Sequence, residues 1–284
     1  MCNSRNKFIV MKSYYFQVIN FSFVLTWIYN RSLYKFVIDK ERHEKLLNIS
    51  PEFKINFIHS GDFFHGLECF KFTDVGANVS RHGSDVMLAD AEWKQAVILP
   101  LEDRTHADSF LCQLFYTHAV QRHIIYLHSS LIDWNGRGLM FLGPSGIGKT
   151  TQAELWNQYR DALIINGDVV FVQETENMFL GWGTPWHGSS PYCENASVPV
   201  EALIVLKQAP ENSIRELTGF EKVTAVSESV FYPRWLEGGM ELCLETLDHL
   251  LTALPVYELS CRPDEAAVEL VEKTVFGRCQ GQKV

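Results

Sequence analysis

The sequence predicts an α/β fold: a mixed sheet entered through an antiparallel hairpin, preceded by a small α+β N-terminal region. Three observations predict it. Gly143-Pro-Ser-Gly-Ile-Gly148-Lys149-Thr150 stands between an apolar run, Leu139–Leu142, and an amphipathic run, Thr151–Tyr159. Asn135-Gly136, the strongest short hairpin signal, joins Ile124–Asp133 to Gly138–Leu142. Apolar strand-like runs then alternate with helical stripes toward the C-terminus.

Length and composition set the limits. A chain of 284 residues makes one large domain or two modest ones, and 46% hydrophobic residues supply a substantial core. A net charge of −9 argues against a nucleic-acid partner held by phosphate contacts. The seven cysteines (Cys2, Cys69, Cys112, Cys193, Cys243, Cys261, Cys279) are scattered and none forms C-x-x-C. They read as small hydrophobes in a reducing, cytoplasmic setting. Residues 8–29 are rich in Phe, Val, Ile and Tyr, but Lys12, Gln17 and Asn20 interrupt them. No apolar run reaches the roughly 18 residues needed to span a bilayer, and no cleavage site follows. This stretch therefore reads as strands, with no membrane partner. Residues 1–10 read as a leader, with Met11 as an alternative start.

The elements follow in order. Residues 12–28 and 53–73 have strand composition, separated by a charged helical piece over Asp39–Leu47. A strand is expected at Ala96–Leu99, ended by Pro100. Phe110, Leu111, Leu114, Phe115 and His118 form a helical stripe within Ala107–Arg122. The hairpin and the glycine loop come next. Ala153, Trp156 and Tyr159 mark the buried face of the following helix. Strands are expected at Ala162–Asn166, Val169–Gln173 and Val200–Lys207. Met240, Cys243, Leu244, Leu247, Leu250, Leu251 and Leu254 form a second stripe, stopped by Pro255. Val256–Ser260 is a strand. Pro263 opens a last helix with Asp264 and Glu265 in its first turn, and Gly277 closes it. The chain divides into an α+β region over 1–105, a nucleotide-binding domain over 106–277 and a tail over 278–284.

The glycine run matches G-x-x-x-x-G-K-[ST], a loop whose backbone N–H groups cradle phosphate oxygens. Gly143, Ser145, Gly146, Ile147, Gly148, Lys149, Thr150 and Thr151 are the candidate nucleotide-binding residues. Lys149 places a charge on the outer phosphates, Thr150 offers a hydroxyl to Mg²⁺, and the helix N-terminus adds its dipole. Asp168 ends an apolar strand behind the loop. A carboxylate there holds Mg²⁺ or accepts the proton of an attacking hydroxyl. His128 either pairs with Asp168 or is a core histidine. Asp133, before the turn, reads as structural. Trp186 and His187, in a Gly/Pro/Ser-rich loop, either line a substrate channel or lid or belong to a surface turn with one buried tryptophan. Arg215, Arg234 and Arg262 are candidates for transition-state charge. His59, His65 and His82 are too widely spaced for a metal site.

The ordered set His128-Ser-Ser-Leu-Ile-Asp133, the hairpin glycines, Gly143–Thr150 and Ile164-Ile-Asn-Gly-Asp168 resembles the catalytic domain of HPr kinase/phosphorylase. That family has a His-x-x-x-hydrophobic-Asp strand, a short turn, G-x-S-G-x-G-K-S, a helix, and a strand ending in two aspartates. Gly183-Thr-Pro-Trp-His-Gly188, Asn195 with Val198-Pro-Val200, Asn212-Ser-Ile and Pro255–Asp264 are similar to bacterial HPr-kinase-like serine kinases, some associated with peptide modification. The resemblance covers about residues 120–277. It implies a phosphoenolpyruvate carboxykinase-like fold, ATP and Mg²⁺ as cofactors, Thr150 and Asp168 on the metal, and Asp168 and His128 as catalytic residues. In place of the first aspartate stands Gly167, and the stretch used for phosphorolysis is not recognisable, so phosphorylase activity is not expected.

The expected function is ATP-dependent phosphoryl transfer to a serine of a peptide or protein. Two alternatives stand beside it: a nucleotide-binding regulatory or scaffold protein, to which Gly167 points, and a small-molecule kinase on the same fold. A homo-oligomer is compatible with either.

Overall fold

The computed structural model describes residues 14–19, 21–25, 37–38, 53–57, 78–99 and 106–277. The expected leader, the helix over Asp39–Leu47, the strand composition beyond residue 57, His59, His65 and the tail over 278–284 lie outside the described residues. The chain falls into two compact units, residues 1–111 and 112–284.

The first unit carries a seven-stranded sheet in the order β3-β1-β2-β4-β7-β6-β5. Its strands are β1 (Tyr14–Val18), β2 (Phe21–Leu25), β3 (Val37–Ile38), β4 (Phe53–Phe57), β5 (Asn78–His82), β6 (Asp85–Ala89) and β7 (Gln95–Leu99). β4 runs parallel to β2 and to β7. The β5–β6 hairpin was not anticipated. Its polar sequence hides a period of two, in which Asp85, Met87 and Ala89 point inward. Buried Asp85 accepts a hydrogen bond from the His106 backbone N–H at 2.8 Å.

The second unit begins inside helix α1 (Ala107–Ala119). A 3₁₀ turn, Val120–Arg122, tightens the end of the expected helix, and His123 leaves it with φ +53°. Then follow β8 (Ile124–Trp134), β9 (Arg137–Leu142), α2 (Lys149–Arg160), β10 (Leu163–Asn166), β11 (Val169–Glu174), β12 (Phe179–Trp182), β13 (Ser197–Gln208) and β14 (Ser213–Leu217). α3 (Gly219–Ser227), β15 (Val230–Phe231), α4 (Gly239–Ala253), β16 (Val256–Cys261) and α5 (Glu265–Val271) complete the order. A π-helical turn, Glu272–Phe276, extends α5 to its C-cap at Gly277, which closes the helix with φ −65°.

Nine strands make one mixed sheet. β8 is long enough to serve two sets of neighbours. Its first half pairs with β11 and β15, and its second half with β9 and β10. β13 likewise pairs with β12 through Ser197–Pro199, then runs parallel to β9 and to β16. The pairing path β8-β11-β12-β13-β9 thus returns to β8. The Asn135-Gly136 turn has φ +55° and +77°, the conformation that matches the twist of a two-residue hairpin. Asp133 Oδ1 accepts from the Gly136 N–H at 2.7 Å, which gives that aspartate its structural role.

The core behind the loop packs α2 and α5 on β9, β13 and β16. Trp156 is fully buried among Leu139, Phe141, Ile204 and Val268. Trp134 meets it edge-on at 5.6 Å, and Arg137 lies 4.1 Å over the Phe276 ring. On the other side, Phe115, Tyr116 and Phe171 form an aromatic layer under β8 and β11. The α4 stripe differs from the expected one. Cys243, Thr246, Leu247, Leu250 and Leu251 are buried, while Leu244 is 48% exposed on the open side. Among the described residues, no helix is long and apolar enough to cross a membrane.

Candidate functional site

The loop joins β9 to α2. Gly143, Gly146 and Gly148 have φ of +133°, +79° and +118°, conformations that a side chain disfavours. A Cβ at Gly146 or Gly148 would meet nothing within 4 Å, so the inner face of the loop is open. Gly148 is the N-cap of α2 and has no side chain to cap it, which leaves first-turn N–H groups available to an anion. Ser145 and Thr151 are exposed, and Ile147 is half-buried against the core. Lys149 folds inward. Its Nζ donates to the carbonyls of Gly143 at 3.0 Å and Pro144 at 3.2 Å. Burial lowers its pKa from the ordinary lysine value, and the Asp168 charge opposes that shift.

Asp168 lies between β10 and β11. The pairing of Val169 with His128 sets it beside β8. His128 Nε2 and Asp168 Oδ1 are 2.7 Å apart, with the two side chains 25% and 30% exposed. The sequence named both residues, and the structure brings them together. Thr150 Oγ1 donates to the Gly167 carbonyl at 3.2 Å, which places its hydroxyl one residue from Asp168.

Three residues that sequence reasoning passed over shape this corner. Asn166 is fully buried and is the hub. Its Oδ1 accepts from the N–H groups of Asp168 and Val169, both at 2.9 Å. Its Nδ2 donates to the carbonyls of Thr184 at 3.1 Å and Trp186 at 3.0 Å. An asparagine two residues before an aspartate at a strand end is an Asx-turn signal, and it was legible. Gly188 has φ +55°, and a Cβ there would stand 2.1 Å from Asp168 Oδ2. Ser190 packs on Gly167, where a Cβ would stand 1.8 Å from its Oγ. The space an aspartate would need at 167 is thus filled by Ser190. No local sequence signal announces either contact.

Trp186 is 5% exposed and packs against Phe115 at 5.3 Å, so it belongs to the core and not to a channel wall. His187 Nδ1 contacts the Ser190 carbonyl and helps close the loop over Asp168. Phe231, 47% exposed, stacks on Tyr126 at 4.2 Å beside His128. Arg215 binds Glu258 at 3.0 Å and Glu221, and Arg262 binds Asp264 at 3.1 Å. Arg234 is exposed.

Among the described residues, no group of three or more His, Cys, Asp and Glu is placed to hold a metal ion. Two oxygens, Thr150 Oγ1 and the Asp168 carboxylate, flank Gly167. Mg²⁺ binds through one or two protein oxygens when phosphates and water supply the rest, so the donor set fits that ion with a nucleotide. The loop, with its open glycines and uncapped helix end, fits a phosphate chain.

Among solved structures, the chain is similar to the HPr(Ser) kinase/phosphatase from Coxiella burnetii, at 12% identity and a TM-score of 0.35, over 55% of this chain and 99% of that one. No curated protein matches the chain. The family model described as SynChlorMet cassette protein ScmC matches residues 106–274, more than half of the 284-residue chain, and the chain belongs to that family.

Proposed function

We propose that this protein binds ATP with Mg²⁺ at Gly143–Thr151 and transfers the γ-phosphoryl group to a serine hydroxyl of a peptide or protein, on a phosphoenolpyruvate carboxykinase-like, HPr-kinase-like fold. The observation that carries the reading is the His128–Asp168 pair at 2.7 Å, one residue from the Thr150–Gly167 contact that ties it to the loop. The loop amides and Lys149 hold the phosphates. Asp168 takes the hydroxyl proton as the serine oxygen bonds to the γ-phosphorus and the bond to the β-phosphate oxygen breaks, which releases ADP. His128 fixes the carboxylate. When bound, Mg²⁺ neutralises phosphate charge, and Thr150 and Asp168 would hold it.

The test is phosphate transfer from labelled ATP to candidate peptides, with nucleotide binding measured in parallel. Asp168→Asn keeps the shape and cannot accept the proton. Transfer should fall by about 10²–10⁴-fold, with a smaller change in ATP affinity. Equal transfer by the variant sinks the assignment. One observation favours a second reading, a nucleotide-binding regulatory or scaffold protein: Ser190 fills the space a paired carboxylate would occupy. That reading is supported if the wild type binds ATP and phosphorylates neither peptides nor small hydroxyl compounds. Transfer to small compounds alone would favour a small-molecule kinase.

A further inference from the structure

The phosphate reading accounts for one end of a nucleotide. A cavity of about 530 Å³ adjoins the loop, and its lining does not include Asp168. Ile147, Gln152, Leu206, Pro210, Cys261 and Arg262 line it. Its position follows from the sheet. β9, β13 and β16 are parallel neighbours, with Leu142 opposite Val205 and Gln208 opposite Cys261. Their carboxyl ends therefore open on one side. Ligands of α/β sheets lie off the carboxyl ends of the parallel strands.

The walls suit a heterocycle and a sugar. Ile147, Leu206 and Pro210 are apolar, and a volume of about 300–1,000 Å³ is usual for small-molecule sites. Gln152 is 3% exposed. Its Nε2 donates to Cys261 Sγ at 3.3 Å, while its Oε1 has no hydrogen-bond partner among the described residues. An unpaired buried acceptor on a cavity wall is costly and fits a donor brought by a ligand. Gln208 Nε2 donates to the Ile147 carbonyl at 3.3 Å, which ties the end of β13 to the loop.

We propose that this cavity, lined by Ile147, the Gln152–Cys261 contact, Leu206, Pro210 and Arg262, receives the base and ribose of the nucleotide. The inference rests on the phosphate-loop reading. A thiol then stands in the nucleoside wall and is shielded whenever a whole nucleotide is bound.

The experiment compares Mg²⁺ with ATP against Mg²⁺ with inorganic tripolyphosphate, which carries the phosphates and no nucleoside. Tripolyphosphate binding to the wild type tests the loop by itself. If it does not bind, the phosphate reading and this inference fall together. Cys261→Trp should fill the cavity. It should weaken ATP binding by about tenfold or more and leave tripolyphosphate binding within about twofold. Unchanged ATP affinity in this variant overturns the nucleoside assignment and leaves the loop reading intact. A measurement on the unmodified chain covers the case of a misfolded variant. Alkylation of Cys261 is followed by peptide mass spectrometry at alkaline pH, because burial pushes this thiol's pKa up. ATP should slow it and tripolyphosphate should not. Protection by both ligands, or by neither, overturns the proposal.

Discussion

Gly188 lies so close to the Asp168 carboxylate that a Cβ at position 188 would stand 2.1 Å from Oδ2. The other oxygen, Oδ1, meets His128 at 2.7 Å. The proposed proton acceptor is therefore held from two sides, by a loop backbone and by an imidazole on a strand.

Gly188→Ala tests that grip. The φ of +55° would strain an alanine by about 1–2 kcal/mol, and its methyl group would push the carboxylate aside. Phosphoryl transfer should fall by about tenfold or more, while nucleotide affinity stays within about twofold. Parallel binding and transfer assays check it. Transfer at the wild-type rate would show that the loop does not position Asp168.

Gly167→Asp should not simply restore a second carboxylate. Its Cβ would collide with Ser190 Oγ, 1.8 Å away. Overpacking of this kind costs about 1–3 kcal/mol, read as a lowered melting temperature. Adding Ser190→Gly should recover most of the loss. Equal melting temperatures for the single and double variants would refute the steric account.

Asn166→Ala removes a buried side chain that makes four hydrogen bonds to backbone groups. The N–H groups of Asp168 and Val169 and two loop carbonyls would lose their partner. A loss of about 2–4 kcal/mol in chemical denaturation is expected. A change under about 0.5 kcal/mol would mean that water replaces the amide without cost.

Lys149→Ala should weaken ATP binding by about tenfold or more, the cost of a charge-assisted contact. The pH dependence has a definite sign. Burial lowers the Lys149 pKa, so its ammonium loses its proton at a lower pH than an ordinary lysine. ATP affinity should be level on the acid side of that value and fall as pH rises through it. Lys149→Arg should flatten the fall, because guanidinium stays charged. Calorimetry across the alkaline range decides it, and a wild-type affinity that rises there contradicts the assignment.

How much of this was legible depended on whether the signal was local. The hairpin was legible because Asn135 and Gly136 both adopt positive φ, which few residues tolerate. The loop was legible because its glycine spacing reports three such angles. His128 and Asp168 were each named, but their distance depended on the β8–β11 register. Contacts between distant loops left no trace. Ser190 on Gly167 and Gly188 on Asp168 are tertiary approaches, and no periodicity encodes them. Strand β12 escaped notice because Gly181 interrupts it. In the fold that glycine is required, since a Cβ would stand 2.9 Å from Leu131. The two readings of the Trp186 loop stay open in the sequence because a loop of glycine, proline and serine hides which side chain turns inward. Leu244 was misread because its stripe position gave no sign of which flank of α4 stays open.

The return of the strand path to β8 has a consequence during synthesis. β9 and the glycine loop leave the ribosome after their partner β8, but the second strand that flanks β9 is β13, where Val205 lies opposite Leu142. β16 follows later still. At about 5–20 residues per second, the loop waits on the order of seconds before the strands on its far side exist. A nascent chain stalled before Val200 should therefore fail to bind nucleotide, whereas one released beyond Cys261 should bind it. On the proposed reading, ATP would be a ligand of the finished molecule and would take no part in guiding its own site into shape.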